Sequence, residues 1–481
     1  MANSGLGGVI GKPIGTKKEK ILAGAPIGTF AYWDKDAAAP EGHLTFTEAV
    51  SIARGVYPDL ESVIPADAAG SVLAAHLANP APAGDDQFGY SVAISGDYAI
   101  VGAYFDDPSG VTDAGSAYIY FRNGTAWSLQ ATLPNPAPAQ DDNFGNSVAI
   151  SGDYAIVGAF GDDPSGVTNA GSAYIYFRSG TTWSLQATLP NPEPAQNDRF
   201  GYSVAISGDY AIVGAFEDDP SGVTNAGSAY IYFRSGTTWS LQATLPNPAP
   251  AADDRFGFSV AISGDYAIVG AFEDDPSGVT NAGSAYIYFR SGTTWSLQAT
   301  LPNPAPAQAD RFGFSVAISG DYAIVGAYFD DPSGVTDAGS AYIYFRNGTN
   351  WSLQATLPNP APAGSDQFGF SVAISGDFAI VGANLDDPSG VGNAGSAYIY
   401  FRSGTTWSLQ ATLPNPAPAA DDRFGFSVAI SGDYAIVGAN LDDPSGVTNA
   451  GSAYIYVNLQ AGVFLHPLPA SAEHKTIVRV E

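Results

Sequence analysis

The stretch FGYSVAISGDYAIVGA occupies residues 88–103, and near copies of it follow along the chain. Each copy begins 56 residues after the previous one (144 minus 88), without insertions. The copies begin at Phe88, Phe144, Phe200, Phe256, Phe312, Phe368 and Phe424. Self-similarity at a fixed period indicates a solenoid, a propeller or an array, and the content of the repeat decides between them.

Each repeat contains four candidate strands. In the first repeat, residues 91–95 alternate apolar and small side chains, 98–103 form an apolar run, and 117–121 are apolar or aromatic throughout. Residues 127–133 alternate strictly, with Trp127, Leu129, Ala131 and Leu133 predicted on one face. Strands that are apolar on both faces are buried on both sides, whereas alternation marks one solvated face. The four strands are therefore predicted to run from the inside of the fold to its outside.

Short turns at 95–97, 107–110 and 123–124 join these strands, as in a four-stranded antiparallel meander. Such sheets arranged radially bury their faces on their neighbours. The sequence therefore predicts an all-β fold, a seven-bladed β-propeller of four-stranded antiparallel blades with a small N-terminal arm that does not repeat. A β-solenoid is the alternative, but four distinct strands are too many for one solenoid coil.

The last repeat lacks its fourth strand, and two segments compete to supply it. Residues 72–78 match the Leu-x-Ala-x-Leu pattern of 129–133 and precede an Asn-Pro motif, whereas Val463-Phe464-Leu465 keeps neither the tryptophan nor that motif. We expect residues 72–78 to close the ring. The chain is thus divided into an arm at 1–70 with one short helix from Thr45 to about Arg54, a propeller at 71–456, and a C-terminal tail at 457–481.

Composition excludes several classes of function. The net charge is −29, from 47 acidic and 18 basic residues, so nucleic acids and anionic membranes are disfavoured as partners. No apolar run reaches the roughly 18 residues of a membrane helix, so we expect no membrane insertion, and no signal peptide is evident. Cysteine is absent, which rules out disulfides and thiolate chemistry.

Phe88-Gly89, Gly96-Asp97 and 101–103 together resemble the FG-GAP repeat of integrin α-subunit heads and of many bacterial surface proteins. The resemblance covers residues 72 to about 456 and implies a seven-bladed propeller used for ligand binding and adhesion. Integrin blades often carry a calcium loop between the first two strands. Here that link is only the 95–97 turn, so the calcium sites of the family are not transferred to this chain.

The repeats contain no histidine between 88 and 456, so catalysis would depend on carboxylates. Paired carboxylates recur in every repeat, first as Asp106-Asp107 and then as Asp162-Asp163. A glycosidase needs one acid and one base facing each other, and seven equivalent pairs do not single these out. We interpret the pairs as turn residues. Calcium binding is the alternative, and no other cofactor is expected. We predict that the protein is not an enzyme.

Differences among the repeats cluster in the loop that enters the first strand and in the loop that leaves the second. Both loops are expected at the same end of the ring, and loops on a rigid scaffold commonly carry binding specificity. Aromatic faces there could stack on sugars, and arginines could bond hydroxyl or carboxylate groups. The predicted ligand-binding residues are Tyr90, Tyr104, Phe105, Phe160, Arg199, Phe216, Arg255, Phe272, Arg311 and Tyr328.

These observations favour a non-enzymatic binding or attachment protein, whose propeller recognises a cell-surface glycan or protein. Residues 1–70 hold five of the six lysines and are predicted either to dock on the acidic ring or to anchor the protein to a larger assembly. An extracellular or virion-surface location follows, for example in a phage virion or tail. The alternatives are a secreted or surface adhesion module of a bacterium and a propeller glycan hydrolase.

Overall fold

The computed structural model of the protein describes residues 71–457 and two short strands, Phe30–Asp34 and Lys475–Arg479. The chain divides into two compact units, Gly70–Gln460 and Met1–Ala69 with Ala461–Glu481. In the second of these units, Phe30–Asp34 pairs antiparallel with Lys475–Arg479. The helix predicted from Thr45 to Arg54 lies outside the described residues. No described helix is long and apolar enough to cross a lipid bilayer.

The unit Gly70–Gln460 consists of seven four-stranded antiparallel sheets, which are the predicted blades. The first strands are Ser91–Ser95, Val148–Ser151, Ser203–Ser207, Ser259–Ser263, Ser315–Ser319, Phe368–Ser375 and Phe424–Ser431. The second strands are Tyr98–Ala103, Tyr154–Ala159, Tyr210–Ala215, Tyr266–Ala271, Tyr322–Ala327, Phe378–Ala383 and Tyr434–Ala439. The third strands are Ser116–Asn123, Ser172–Ser179, Ser228–Ser235, Ser284–Ser291, Ser340–Asn347, Ser396–Ser403 and Ser452–Val457.

The fourth strands are Ala126–Leu133, Thr182–Leu189, Thr238–Leu245, Thr294–Leu301, Asn350–Leu357, Thr406–Leu413 and, in the seventh blade, Val72–Ala78. A single 3-10 turn follows each second strand, at Pro108–Gly110, Pro164–Gly166, Pro220–Gly222, Pro276–Gly278, Pro332–Gly334, Pro388–Gly390 and Pro444–Gly446. These turns are the only helical segments among the described residues.

The apolar core lies between the blades. Ile100, Ile119 and Leu133 of the first blade pack with Phe144 and Val148 of the second blade in one buried cluster. Equivalent clusters occupy the other six blade interfaces, including the one between the seventh blade and the first. The ring is therefore closed, and each blade is stabilised by its two neighbours rather than by a core of its own.

The Phe-Gly pair allows neighbouring blades to pack closely. The Phe144 ring is fully buried, and Gly145 has a φ of +94°, a conformation that side chains rarely adopt. A Cβ atom on Gly145 would also lie 2.3 Å from the carbonyl oxygen of Ser116 in the preceding blade. Only glycine allows this close approach of two backbones, which explains the second residue of the motif.

The fourth strand of the seventh blade comes from the beginning of the repeat region. Val72–Ala78 pairs antiparallel with Ser452–Val457, which is the position that its Leu-x-Ala-x-Leu match predicts. Leu77 is buried in the interface between the seventh and first blades, and the Tyr120 hydroxyl donates a hydrogen bond to the carbonyl oxygen of Ala78 at 2.7 Å. The competing segment at 463–465 lies outside the described residues.

The strict alternation predicted for the fourth strand is wrong. A β-bulge between Leu129 and Ala131 shifts the register against the third strand. Trp127 consequently packs toward the seventh blade, whereas Ala131 and Leu133 pack toward the second blade. Leu129, which was predicted to face the core, is 43% exposed. A bulge inserts one extra residue and so reverses which face the following side chains occupy.

The tryptophan side chains still join neighbouring blades. The Trp183 indole N–H donates a hydrogen bond to Oε1 of Gln130 in the preceding blade at 2.9 Å, and its ring meets Tyr98 of that blade edge-on at 6.0 Å. The same pair of contacts joins Trp239 to Gln186 and Tyr154. The tryptophans therefore pack between neighbouring blades.

Candidate ligand-binding end

The loops that vary among the repeats interlock at one end of the ring. Backbone N–H groups of Asp85 and Gln87, in the loop that enters the first blade, donate to the carbonyl oxygens of Thr448 and Asn449 at 2.9 and 3.0 Å. Those two residues belong to the loop that leaves the second strand of the seventh blade. The entry loop of each blade therefore lies against the exit loop of the preceding blade, and we call this the variable end.

In every blade except the second, the residue after the Phe-Gly pair is aromatic, and these side chains form a series at the variable end. Centroids of neighbouring rings in this series lie 4.9–5.0 Å apart. The six aromatic side chains are half-buried, so part of each is accessible to a ligand. We call this series the aromatic girdle; its members are Tyr90, Tyr202, Phe258, Phe314, Phe370 and Phe426.

Asn146 interrupts the girdle in the second blade. Its Nδ2 donates a hydrogen bond to the carbonyl oxygen of Tyr202 at 2.8 Å. Tyr90 and Tyr202 come from the blades on either side. Burial raises the pKa of both tyrosines. The break in the aromatic series is therefore an amide flanked by two tyrosines.

A second tier of aromatic residues surrounds the girdle. Phe216, at the end of a second strand, contacts Tyr202 of its own blade at 4.4 Å and Phe258 of the next blade at 5.4 Å. Tyr328 makes the same two contacts with Phe314 and Phe370, at 4.3 and 5.5 Å. The predicted binding residues Tyr90, Tyr104, Phe105, Phe160, Phe216, Phe272 and Tyr328 all belong to this two-tier aromatic surface.

The three predicted arginines are already paired with carboxylates of the ring. Nη1 of Arg255 lies 2.8 Å from Oε1 of Glu217, and its Nε lies 3.6 Å from Oε2 of Glu273. Arg199 contacts Glu217 at 3.5 Å, and Arg311 forms an ion pair with Glu273. We call this alternation of charges across the third, fourth and fifth blades the arginine–glutamate ladder.

Each guanidinium of the ladder also lies over a phenylalanine of the preceding blade. The distances from Cζ to the ring centroid are 5.2 Å for Arg199 on Phe160 and 5.5 Å for Arg255 on Phe216. Ion pairing and stacking together fix these arginines, so they serve first to join blades. This differs from the expectation that their donors would be available to a ligand.

Backbone strain is concentrated at the variable end. Arg255, for example, has a φ of +60°, and the residues in the same place in the other blades are also left-handed. Among the described residues, every non-glycine residue with positive φ lies in the entry or exit loops. Such conformations cost roughly 1–3 kcal/mol each and persist at functional sites where the surrounding structure enforces them.

The paired carboxylates accept hydrogen bonds within their own loops. The Tyr118 hydroxyl donates to Oδ2 of Asp106 at 2.6 Å, and the Asp113 backbone N–H donates to Oδ1 of Asp107 at 2.7 Å. Asp162 and Asp163 accept equivalent bonds. Within the described residues, no three acidic or histidine side chains are grouped to hold a metal ion. The bonds support the interpretation of these pairs as turn residues.

A buried aspartate stands two residues before each Phe-Gly pair. Oδ2 of Asp254 accepts hydrogen bonds from Nδ2 of Asn247 at 2.8 Å and from the backbone N–H of Ala251 at 2.6 Å. Burial raises the pKa of Asp254 to about 6, and the nearby Asp274 and Asp275 carboxylates add to the effect. These aspartates are not among the residues predicted from the sequence, although the Asn-Pro motif repeated at a fixed distance before them was a usable signal.

The opposite end of the ring is nearly identical in the first six blades, and its contacts explain why. Arg178 forms an ion pair with Asp153, donates a hydrogen bond to the carbonyl oxygen of Gly180 at 2.8 Å, and lies 4.4 Å above the Tyr98 ring of the preceding blade. The residues at this end are therefore committed to turns and to blade packing.

The ring is a seven-bladed β-propeller, a scaffold whose loops are well placed for binding. A sequence profile of the FG-GAP repeat matches the chain at residues 73–120, 127–176, 183–232, 239–288, 295–344, 351–400 and 407–456. These matches cover most of the chain, which belongs to the FG-GAP repeat family. Each match begins in the fourth strand of one blade and ends in the third strand of the next, so the sequence repeat and the blade are offset by one strand.

Two further comparisons add little to this assignment. No curated protein matches the chain. Among solved structures, a chain of a crystal structure of the mitotic checkpoint complex is similar, with a TM-score of 0.47 and 14% sequence identity. The match covers 85% of this chain and 98% of that chain.

Proposed function

We propose that this protein is a non-enzymatic attachment protein whose variable end recognises a surface glycan or protein. The observation that carries the proposal is the aromatic girdle, a series of half-buried rings from six of the seven blades at the end where the repeats differ. Aromatic faces bind the apolar face of a sugar ring or an apolar side chain at low entropic cost. The left-handed residues of the same loops support this location.

The propeller is proposed to work as part of a larger particle, such as a phage virion or tail, with residues 1–70 as the attachment to that particle. A secreted or surface adhesion module of a bacterium is the second candidate, since the FG-GAP resemblance implies adhesion. A glycan hydrolase receives little support, because Asp106 and Asp107 accept hydrogen bonds from their own loop and recur in every blade.

Binding of the full-length protein to a glycan array and to intact bacterial cells would test the proposal. The double variant Phe258→Ala, Phe314→Ala removes two adjacent girdle rings whose centroids lie 4.9 Å apart. We expect it to reduce binding at least tenfold. Thr181→Ala, in a turn at the opposite end, serves as the control and should bind normally.

Unchanged binding by the Phe258→Ala, Phe314→Ala variant, with circular dichroism showing an intact ring, would place recognition elsewhere. Loss of cell binding on removal of residues 1–70 alone would mean that the propeller is a spacer. Release of reducing sugar from a bound glycan would overturn the non-enzymatic assignment in favour of a hydrolase.

A further inference from the structure

Arg423 is the one arginine in residues 71–457 whose guanidinium has no protein partner. The arginines of the opposite end pair with aspartates, and those of the ladder pair with Glu217 and Glu273. Among the described residues, the Arg423 guanidinium contacts no carboxylate, hydrogen-bond acceptor or aromatic ring. Its Nε is buried, and the side chain as a whole is half-buried at the variable end.

The repeat shows what kind of partner this position takes. Arg255 lies 168 residues before Arg423 (423 minus 255), at the same place three blades earlier, and it contacts a glutamate of the preceding blade and one of its own blade. The corresponding residues around Arg423 are Leu385 and Leu441. Arg423 therefore has the same place in its blade as Arg255, but leucine occupies both of the positions where Arg255 has a glutamate partner.

The second tier of aromatics changes at the same place. Phe216 and Phe272 of the ladder blades correspond to Asn384 and Asn440, which are each 2% exposed. Nδ2 of Asn440 donates to Oε1 of Gln87 at 2.9 Å, but the Oδ1 atoms of both asparagines have no hydrogen-bond donor among the described residues. Each of these oxygens has less than 1 Å² of accessible surface, so a ligand cannot reach it directly. The change leaves Arg423 without the phenylalanine ring that lies under its equivalent Arg255.

Arg423 and the girdle rings can bind different parts of one ligand. A guanidinium binds a carboxylate best, through parallel N–H bonds. The girdle rings Phe370 and Phe426 lie 5.0 Å apart in the same two blades and offer aromatic faces for a pyranose ring. A carboxylate and an apolar ring face occur together in acidic sugars.

We propose that Arg423, beside the girdle rings Phe370 and Phe426, forms a subsite for the carboxylate of an acidic sugar. The inference rests on the proposed glycan-binding function and names the class of ligand. The net charge of −29 opposes an anion at long range, but at physiological ionic strength that repulsion is screened beyond about 8 Å. The close contact with a half-buried guanidinium is screened much less.

Two substitutions test the subsite without a foreseeable risk to the fold. Gln occurs naturally at this position in the first and sixth blades, as Gln87 and Gln367, so Arg423→Gln should fold normally. Leu385→Glu recreates the residue found at Glu217 and should neutralise Arg423 from within the protein. Arg255→Gln removes an arginine that is already paired and is the matched control.

The assay is titration of the full-length protein, by calorimetry or saturation-transfer NMR, with oligosaccharides ending in glucuronate or N-acetylneuraminate and with a neutral oligosaccharide of the same length. We expect the acidic probes to bind at least tenfold more tightly than the neutral one. Arg423→Gln and Leu385→Glu should abolish that preference, whereas Arg255→Gln should retain it.

Equal affinity of the native protein for acidic and neutral probes would overturn the subsite, as would an acidic preference that survives Arg423→Gln. Tighter, Arg423-dependent binding of an aspartate- or glutamate-containing peptide would overturn the sugar assignment in favour of a protein ligand. If neutral glycans bind and only the girdle variant loses them, the proposed function stands and the subsite fails. If no glycan binds any variant, both fail.

Discussion

Replacing Asp254 by Asn is expected to stabilise the ring at neutral pH and to destabilise it slightly, by about 1 kcal/mol, at pH 4. The Asp254 side chain is 2% exposed, and burial raises its pKa from 3.8 to about 6. A carboxyl group whose pKa is higher in the folded state binds its proton more tightly there. Its stabilising contribution is therefore complete below pH 3.8 and is lost as the pH rises through 6.

The size of the effect follows from the shift of about two pKa units. Each unit corresponds to about 1.4 kcal/mol, so the ionised Asp254 costs the folded state at most about 3 kcal/mol at pH 7.5. Asparagine keeps an oxygen that can accept from Asn247 and Ala251, but its own amide group needs a partner, which removes about 1 kcal/mol. The net gain is about 1–2 kcal/mol.

Thermal and urea unfolding at pH 7.5 and pH 4.0 would measure this gain. The control is Glu193→Gln, which removes one negative charge from an exposed side chain and so reports only the change in overall charge. We expect Asp254→Asn to raise the melting temperature by a few degrees at pH 7.5 and Glu193→Gln to leave it unchanged. A lower melting temperature for Asp254→Asn at pH 7.5 would show that the charged carboxylate stabilises its loop by more than burial costs.

Two further predictions concern the closure and fit of the ring. Gly257→Ala should destabilise the ring by about 3 kcal/mol or more in urea unfolding, because the new Cβ would lie 2.3 Å from the Ser228 carbonyl oxygen at a φ of +91°. The control is Gly264→Ala, at a left-handed residue free of contacts, which should cost only about 1–2 kcal/mol. Equal costs for the two variants would refute the packing argument. Deleting residues 1–78 should lower the melting temperature markedly, because the seventh blade loses its fourth strand. Deleting only residues 1–70 should leave the melting temperature unchanged. Identical melting curves for the two deletions would show that another segment closes the ring.

Much of the fold could be predicted because the same pattern of strands and turns recurs in seven copies. The constant period gives the number of blades, and the apolar patterns of 98–103 and 117–121 correctly indicate strands buried on both faces. The bulge at Gln130 could not be predicted, because apolar and polar residues alternate on either side of it as they would in a regular strand. Only the pairing with the third strand decides which face Ala131 occupies.

The contact between the variable loops was predictable, whereas its details were not. Differences among the repeats single out two loops that lie against each other at one end of the ring, yet the residue after Phe-Gly was singled out only in Tyr90, because it reads as part of a turn. The arginine–glutamate ladder depends on contacts such as Arg255 with Glu217, 38 residues apart. A signal for it did exist, since glutamate follows the second strand only in the two blades that precede Arg255 and Arg311.

The changes at the variable end are coupled between neighbouring positions. In the sixth and seventh blades, the aromatic residue and its neighbour differ together from the ladder blades, as Asn384-Leu385 and Asn440-Leu441. Arg423 therefore has neither the carboxylate nor the aromatic ring that Arg255 contacts. An anionic group bound from outside the chain, as proposed above, would supply the partner that the ring does not, because a guanidinium forms its strongest hydrogen bonds with a carboxylate.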